Sequence, residues 1–158
     1  MKLVFSRKGF DSSAGGFPSP IINGKPISLP IPYPSSKVSY QLLNLGEIVE
    51  DLTNRKFVKK DFCHSDPDLE MGAFGQVSSA QSHLHNQNVS SGDLFLFFGW
   101  FREVEIVACN YRYKSDSRAH HRIFGWMFVD QKFLVGSQTE EFRRKYTKYT
   151  NHPHASGK

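Results

Sequence analysis

The sequence predicts an α+β fold: a mainly antiparallel sheet with two to three packed helices. Three observations predict it. The chain has 158 residues, 39% hydrophobic and 14% aromatic, with 14 Phe among them. That is enough apolar surface to bury a core and too much for a disordered chain. Apolar residues at three- and four-residue spacing mark helices, and short apolar runs mark strands. In the strand-rich part, residues 94–135, the connections are too short for parallel crossovers, which favours antiparallel pairing with helices packed on one side. The length suits one domain over residues 1–150, with 151–158 as a polar C-terminal tail.

The elements follow in order. Leu3, Val4 and Phe5 within residues 2–6 read as a short buried strand. Residues 7–20 hold Gly9, Gly15, Gly16, Pro18 and Pro20, which exclude regular structure. Asn23-Gly24 is a hairpin signal between 17–22 and 25–31. Pro30, Pro32 and Pro34 then keep the chain extended. Residues 39–52 read as a helix whose apolar face is Leu42, Leu45, Ile48, Val49 and Leu52. Residues 57–75 are loop-like. A second helix spans 76–88, with Val77, Ala80 and Leu84 inward.

Gly92-Asp93 is a turn, and 94–101 is the strongest strand, apolar on both faces and therefore central. Residues 103–110 read as another strand and 111–120 as a connecting loop. Residues 123–129 are a further strand, with 132–135 beside it. A closing helix spans 139–149, where Glu140 and Glu141 oppose the dipole in the first turn.

The formal net charge is +5 and the pI about 9.2. This balance permits contact with phosphates without requiring it. Cys63 and Cys109 have neither CxxC spacing nor the density of a disulfide scaffold, so both read as free thiols in a reducing compartment. Residues 1–10 contain no apolar run long enough for a signal peptide. No segment approaches the roughly 20 apolar residues of a membrane span. The expectation is a cytoplasmic protein with no membrane contact. Oligomeric state is open.

Four constellations could carry chemistry. In the loop after the first strand, Arg7 and Lys8 supply charge, Ser12 and Ser13 supply hydroxyls, and Gly15 and Gly16 free the backbone to present N–H groups to an anion. Asp11 there could accept from a sugar hydroxyl or a base amine. The plainer reading is a set of tight turns capped by the serines. Second, His64-Ser65-Asp66-Pro67-Asp68 places one imidazole and two carboxylates together, suited to acid/base work or to a divalent cation. The plainer reading is a turn with an aspartate cap. No metal-ligand set and no cofactor is assigned.

Third, the 76–88 helix is rich in amides and imidazoles, with Gln81 and His85 four apart on one face. Such groups fit the edges of nucleobases; the alternative is an amphipathic helix with a polar outer face. Fourth, Trp100 and Arg102, with His121 and Trp126 later, could form a platform for base stacking; the alternative is core aromatics at barrel corners. His152-Pro153-His154 is either a site element reaching back or a frayed tail. Cys63 beside His64 does not make a nucleophile–base pair, because sequence neighbours in a loop rarely point together.

These segments together resemble one family, the nucleotide modification associated domain family, type 3. The resemblance rests on residues 6–21 (SRKGFDSSAGGFPSPI), 29–32 (LPIP), 64–69 (HSDPDL), 75–86 (GQVSSAQSHLHN), 92–102 (GDLFLFFGWFR), 121–126 (HRIFGW) and 152–154 (HPH). They run in the family's order over nearly the whole chain. The resemblance implies a bacterial or phage protein associated with modification of DNA bases or with nucleotide metabolism. By architecture alone, Gly92-Asp93 before an apolar strand and Phe124-Gly125-Trp126 within another look like the small β-barrels of the PUA and EVE type, which read bases.

Two functions stay open. One is an enzyme or accessory factor acting on a nucleotide or DNA base, with His64, Asp66 and His121 in catalytic roles. In that reading Arg7, Lys8, Asp11, Ser12, Ser13, Gly15, Gly16, Gln81, His85, Trp100 and Arg102 hold the ligand. The other is a non-catalytic module that binds a nucleotide or a modified base, as a reader or a phage sequestering protein. The expected partner in both is a nucleotide or a nucleic-acid base.

Overall fold

The computed structural model of the chain describes residues 1–156. It is α+β: a mixed six-stranded sheet with three α-helices. The strands are β1 (Leu3–Arg7), β2 (Ser19–Ile22), β3 (Lys25–Pro26), β4 (Leu94–Val107), β5 (Asn110–Tyr113) and β6 (His120–Phe128). The helices are α1 (Gly46–Leu52), α2 (Ser78–Asn86) and α3 (Thr139–Lys145). The pairing path runs β1-β4-β2-β3, with β5 and β6 also on β4. This path is open, where a barrel would close. Two compact units share the chain. The first comprises 1–6, 65–96 and the chain from Gly125 onward; the second comprises 7–64 and 97–124.

In the second unit, the hairpin is as the sequence predicts. Asn23 and Gly24 both take positive φ, 51° and 76°, between the paired residues Ile22 and Lys25. Left-handed conformations at both central positions match the twist of the flanking strands. The expectation of mainly antiparallel pairing needs correction. β2 runs parallel to β4, with Ser19 opposite Phe101 and Ile21 opposite Glu103, while β2–β3 and β4–β5 are antiparallel. The physical reason is distance along the chain. The long stretch between β2 and β4 supplies the crossover that a parallel pair demands, which the short connections after β4 could not.

The core of this unit is Phe10, Leu29, Tyr40, Ile48, Val49, Leu52, Cys63 and Val104. Each fully buried apolar side chain there contributes about 1.5–3 kcal/mol relative to exposure. Phe10 meets Tyr40 and Phe57 edge-on, at 6.3 and 5.5 Å. The helix expected over 39–52 is confined to Gly46–Leu52. Asn44 sits at φ 56°, a left-handed residue that no α-helix includes. Leu42, counted on the apolar face, is 70% exposed. α1 then docks on β5, and the Tyr111 amide donates to Asp51 at 2.8 Å.

β4 is one strand where two were expected. Burial alternates along it through Phe97, Gly99 and Phe101, so Gly99 continues the pleat rather than ending it. A Cβ on Gly99 would lie 2.9 Å from the Lys8 carbonyl oxygen, a close approach only glycine allows. The loop expected over 111–120 begins instead with β5. It pairs residue by residue with Val104–Val107, because its Tyr111 and Tyr113 pack on the core.

In the first unit, Asp93 organises the turn before β4. Its carboxylate accepts from the Lys2 amide at 2.7 Å and the Ser90 amide at 2.9 Å. α2 has no buried residue. Val77 is exposed and Leu84 only half-buried, so the predicted inward face is a surface one. Too few apolar residues share one side of this helix to drive docking. α3 carries Glu140 and Glu141 in its first turn and Arg143, Arg144 and Lys145 in its last, in accord with the helix dipole. Phe142 meets Phe133 edge-on at 5.3 Å, and the tilted Tyr146 ring lies 4.4 Å from that of Phe133. That packing occupies the stretch expected as a strand at 132–135, where no strand forms.

Candidate functional site

The first unit gathers three of the segments singled out by sequence around one carboxylate. Asp66 follows a short loop and precedes Pro67 through a cis peptide. The next turn is closed by Asp68. Its backbone exchanges two 2.9 Å hydrogen bonds with Ala73, and its Oδ1 accepts from the Met71 amide at 2.8 Å. Asp68 is thus the turn-maker of the pair, which leaves Asp66 as the inward group. The turn returns the chain so that the Gly75 amide donates to Asp66 Oδ1 at 2.9 Å. Phe74 holds this stretch in place by meeting Phe95 of β4 edge-on at 5.0 Å.

Two imidazoles complete the cluster. His152 Nε2 lies 3.2 Å from Asp66 Oδ1, and His154 Nε2 lies 3.9 Å from Oδ2. The Asp66 side chain is fully buried, that of His152 nearly so, and that of His154 is 17% exposed. His152 and Asp66 are within ion-pair distance but short of hydrogen-bond geometry, since Nε2 is buried without a hydrogen-bond partner. The His152 Nδ1 accepts from the His154 amide at 3.3 Å. An accepting Nδ1 assigns the neutral ring's proton to Nε2, facing the carboxylate. The Tyr149 carbonyl receives the His152 amide at 3.0 Å, and a 3-10 turn, Pro153–Ser156, carries His154 past it. Within the stretch expected as a polar tail, His152 and Ala155 are buried.

Gly75 has a second role here. A Cβ at this position would fall 2.1 Å from the His154 ring. The missing side chain is therefore the seat of the imidazole. One residue donates its amide to Asp66 and gives up its side-chain space to His154.

The other predicted residues are described unit by unit. In the second unit, Arg7 pairs with Asp11 at 3.0 Å. Asp11 Oδ1 also accepts from the Ser13 hydroxyl and from the Ser13 and Ala14 amides at 2.7–2.8 Å. The Ser13 hydrogen bond foremost, aided by those amides and Arg7, holds the Asp11 carboxyl below its usual range. Gly15 sits at φ 93° with the Phe10 ring 2.4 Å from where its Cβ would be. Gly16, at φ 87°, Ser12 and Ser13 are exposed, and Lys8 is half-buried.

Trp100 and Arg102, two apart on β4, are half-buried. Arg102 donates to the Lys114 carbonyl at 2.9 Å and lies 5.3 Å over the Tyr113 ring, whose hydroxyl donates to Pro18. His121 is exposed on β6, with its ring 5.9 Å from Phe98. His64 belongs to this unit, with its amide on the Ile31 carbonyl and its ring edge-on to Tyr33 at 5.3 Å. In the first unit, Gln81 and His85 are exposed on α2.

Of the predicted residues in the first unit, Asp66 lies in the carboxylate–imidazole cluster. Its companion Gly75 is not a site candidate in the sequence, and His152-Pro153-His154 stands there only as a site element reaching back or a frayed tail. The signal was present as two imidazoles spaced by one proline, but nothing local says that they return to residue 66.

A domain of α+β class with this buried cluster has a match among known families. The family model of nucleotide modification associated domain 3 covers residues 2–158, and the chain belongs to that family. No curated protein and no solved structure matches it.

Proposed function

We propose that this chain acts on a nucleotide or on a base in DNA, with Asp66, His152 and His154 as its reaction centre. The observation that carries this is the convergence on one fully buried carboxylate of two imidazoles and the Gly75 amide, in a chain of a nucleotide-modification family. A carboxylate held out of water beside imidazoles is costly unless paired, and such clusters gather where chemistry needs them. Arg7, Lys8, Ser12 and Ser13 of the 7–16 loop, the Gly15–Gly16 backbone, and Gln81, His85, Trp100 and Arg102 are the proposed ligand contacts. His64 and His121 are further acid/base candidates.

The test is incubation with nucleotides and with DNA, with and without divalent metal, followed by mass spectrometry of the products. Turnover should appear with the native chain and fall at least 100-fold in Asp66→Asn. His64→Ala and His121→Ala measure the roles proposed for those residues.

The second reading is a non-catalytic binder of a nucleotide or modified base. It is favoured by the outer face of α2, where Gln81 and His85 stand exposed with no structural task in the core. Micromolar nucleotide binding with no turnover under any condition establishes this reading over the first. Binding that survives Gln81→Ala and Trp100→Ala unchanged removes it.

A further inference from the structure

The imidazole of His154 and the carboxylate of Asp66 are arranged as half of a coordination sphere. We infer that they bind a divalent transition-metal ion, between Asp66 Oδ2 and His154 Nε2. The two atoms are 3.9 Å apart. Two bonds of about 2.1 Å, the usual length for imidazole nitrogen and carboxylate oxygen on zinc or its neighbours, span that gap with an open angle. Imidazole with carboxylate suits Zn, Mn, Fe or Co rather than Ca or Mg.

The surroundings fit a ligand rather than a plain ion pair. A carboxylate ligand needs its second oxygen held. Asp66 Oδ1 is held by the Gly75 amide at 2.9 Å and faced by the buried His152 Nε2 at 3.2 Å. Such outer contacts orient a metal-binding carboxylate and are part of the site. His152 is thereby a positioning residue, because its Nδ1 is engaged by the His154 amide and its Nε2 lies 3.2 Å from the carboxylate. His154 keeps 17% of its side chain exposed, which leaves a path for an ion and for water on its open side. The lack of a side chain on Gly75 lets that ring reach the position. This inference shares its residues with the proposed reaction centre but needs no nucleotide to be tested.

The experiment uses the full chain carrying Cys109→Ser, so that the exposed thiol cannot capture the ion. The protein is stripped with a chelator and dialysed against Co²⁺, Mn²⁺ or Zn²⁺ in turn. Bound metal is measured by elemental analysis, and Co²⁺ also by its visible absorption. The expected result is one equivalent of at least one ion per chain, with affinity falling tenfold or more in Asp66→Asn, His154→Gln and Gly75→Ala. His64→Ala is measured in parallel, because the sequence sets that imidazole two residues before Asp66.

Since a core variant can lose its fold, the native chain is also titrated with the paramagnetic ions and followed by NMR. Signals of Asp66, Gly75 and His154 should broaden first. Failure to retain any of the three ions overturns the inference, as does retention unchanged in Asp66→Asn and His154→Gln, or first broadening elsewhere. An ion bound without turnover on any nucleotide removes the enzyme reading alone. Turnover with no ion bound removes this inference alone.

Discussion

Cys63 and Cys109 carry the same thiol into opposite environments. Burial pushes the Cys63 thiol up to about 12, while Cys109 is exposed at φ 64° in the turn after β4. Reactivity belongs to the thiolate, so only Cys109 should react. The native chain is expected to release one equivalent of thionitrobenzoate from Ellman's reagent quickly and the second only after denaturation. Cys109→Ser should abolish the fast phase; two fast thiols would show that the core around Tyr40 and Val49 opens. At this scale the sequence marks which side chains have chemistry but not what they face. The sequence offers Asp11 as an acceptor for a ligand, and in the structure its Oδ1 is engaged by Ser13 and Ala14 of its own loop. Asp66 was legible as a candidate because one imidazole and two carboxylates fall together over residues 64–68. For His152 and His154 the choice between site element and tail stayed open, because their partner lies over eighty residues away in the chain.

Among the elements, what is local was readable. The Asn23-Gly24 turn needs only two residues willing to take positive φ. The β4 run needs only its own apolar side chains. The parallel register of β2 on β4 was hidden, because it depends on a crossover rather than on either strand's composition. The left-handed Asn44 that shortens α1 was hidden for a related reason, since its conformation is set by the turn around it.

Two glycines separate backbone strain from packing. Gly24, at φ 76° with open space around it, should cost about 1–2 kcal/mol as Gly24→Ala. Gly15, at φ 93° against the Phe10 ring, adds a clash that the core must absorb. Gly15→Ala should cost roughly 3 kcal/mol or more. Urea unfolding of both variants measures the difference. Equal losses would mean that the Phe10 ring moves aside freely.

For the whole molecule, the response to acid is set by carboxylates in both units. Asp93 is held low chiefly by the Lys2 amide, Glu50 by the Lys59 amide, and Asp11 by the Ser13 hydroxyl. Each therefore titrates, when folded, below its ordinary value of 3.8 or 4.5. Their stabilisation is fully present above those ordinary values and is lost as pH falls through the lower folded ones. Melting temperature should thus be level from about pH 7 to 5 and drop below about pH 4. Asp93→Asn should lower the plateau and flatten the drop. An unchanged slope in that variant would assign acid sensitivity to other groups. The fold class was legible at this scale because composition and periodicity report it directly. The arrangement of strands on β4 was not, since one 14-residue strand serves as partner to β1, β2, β5 and β6 at once. Among the described residues no helix is long and apolar enough to cross a membrane.

The interleaving of the two units has a genetic consequence. The chain passes between them at residues 6–7, 64–65, 96–97 and 124–125. No contiguous stretch of the gene encodes either one alone. A single recombination event therefore exchanges fragments of both, and deletion from either end removes parts of a unit before it isolates the other. Neither can be traded between lineages as a cassette. The carboxylate–imidazole cluster, assembled from residues 66, 75, 152 and 154, is inherited only with the rest of the chain, and a search for a minimal active fragment should end at nearly full length.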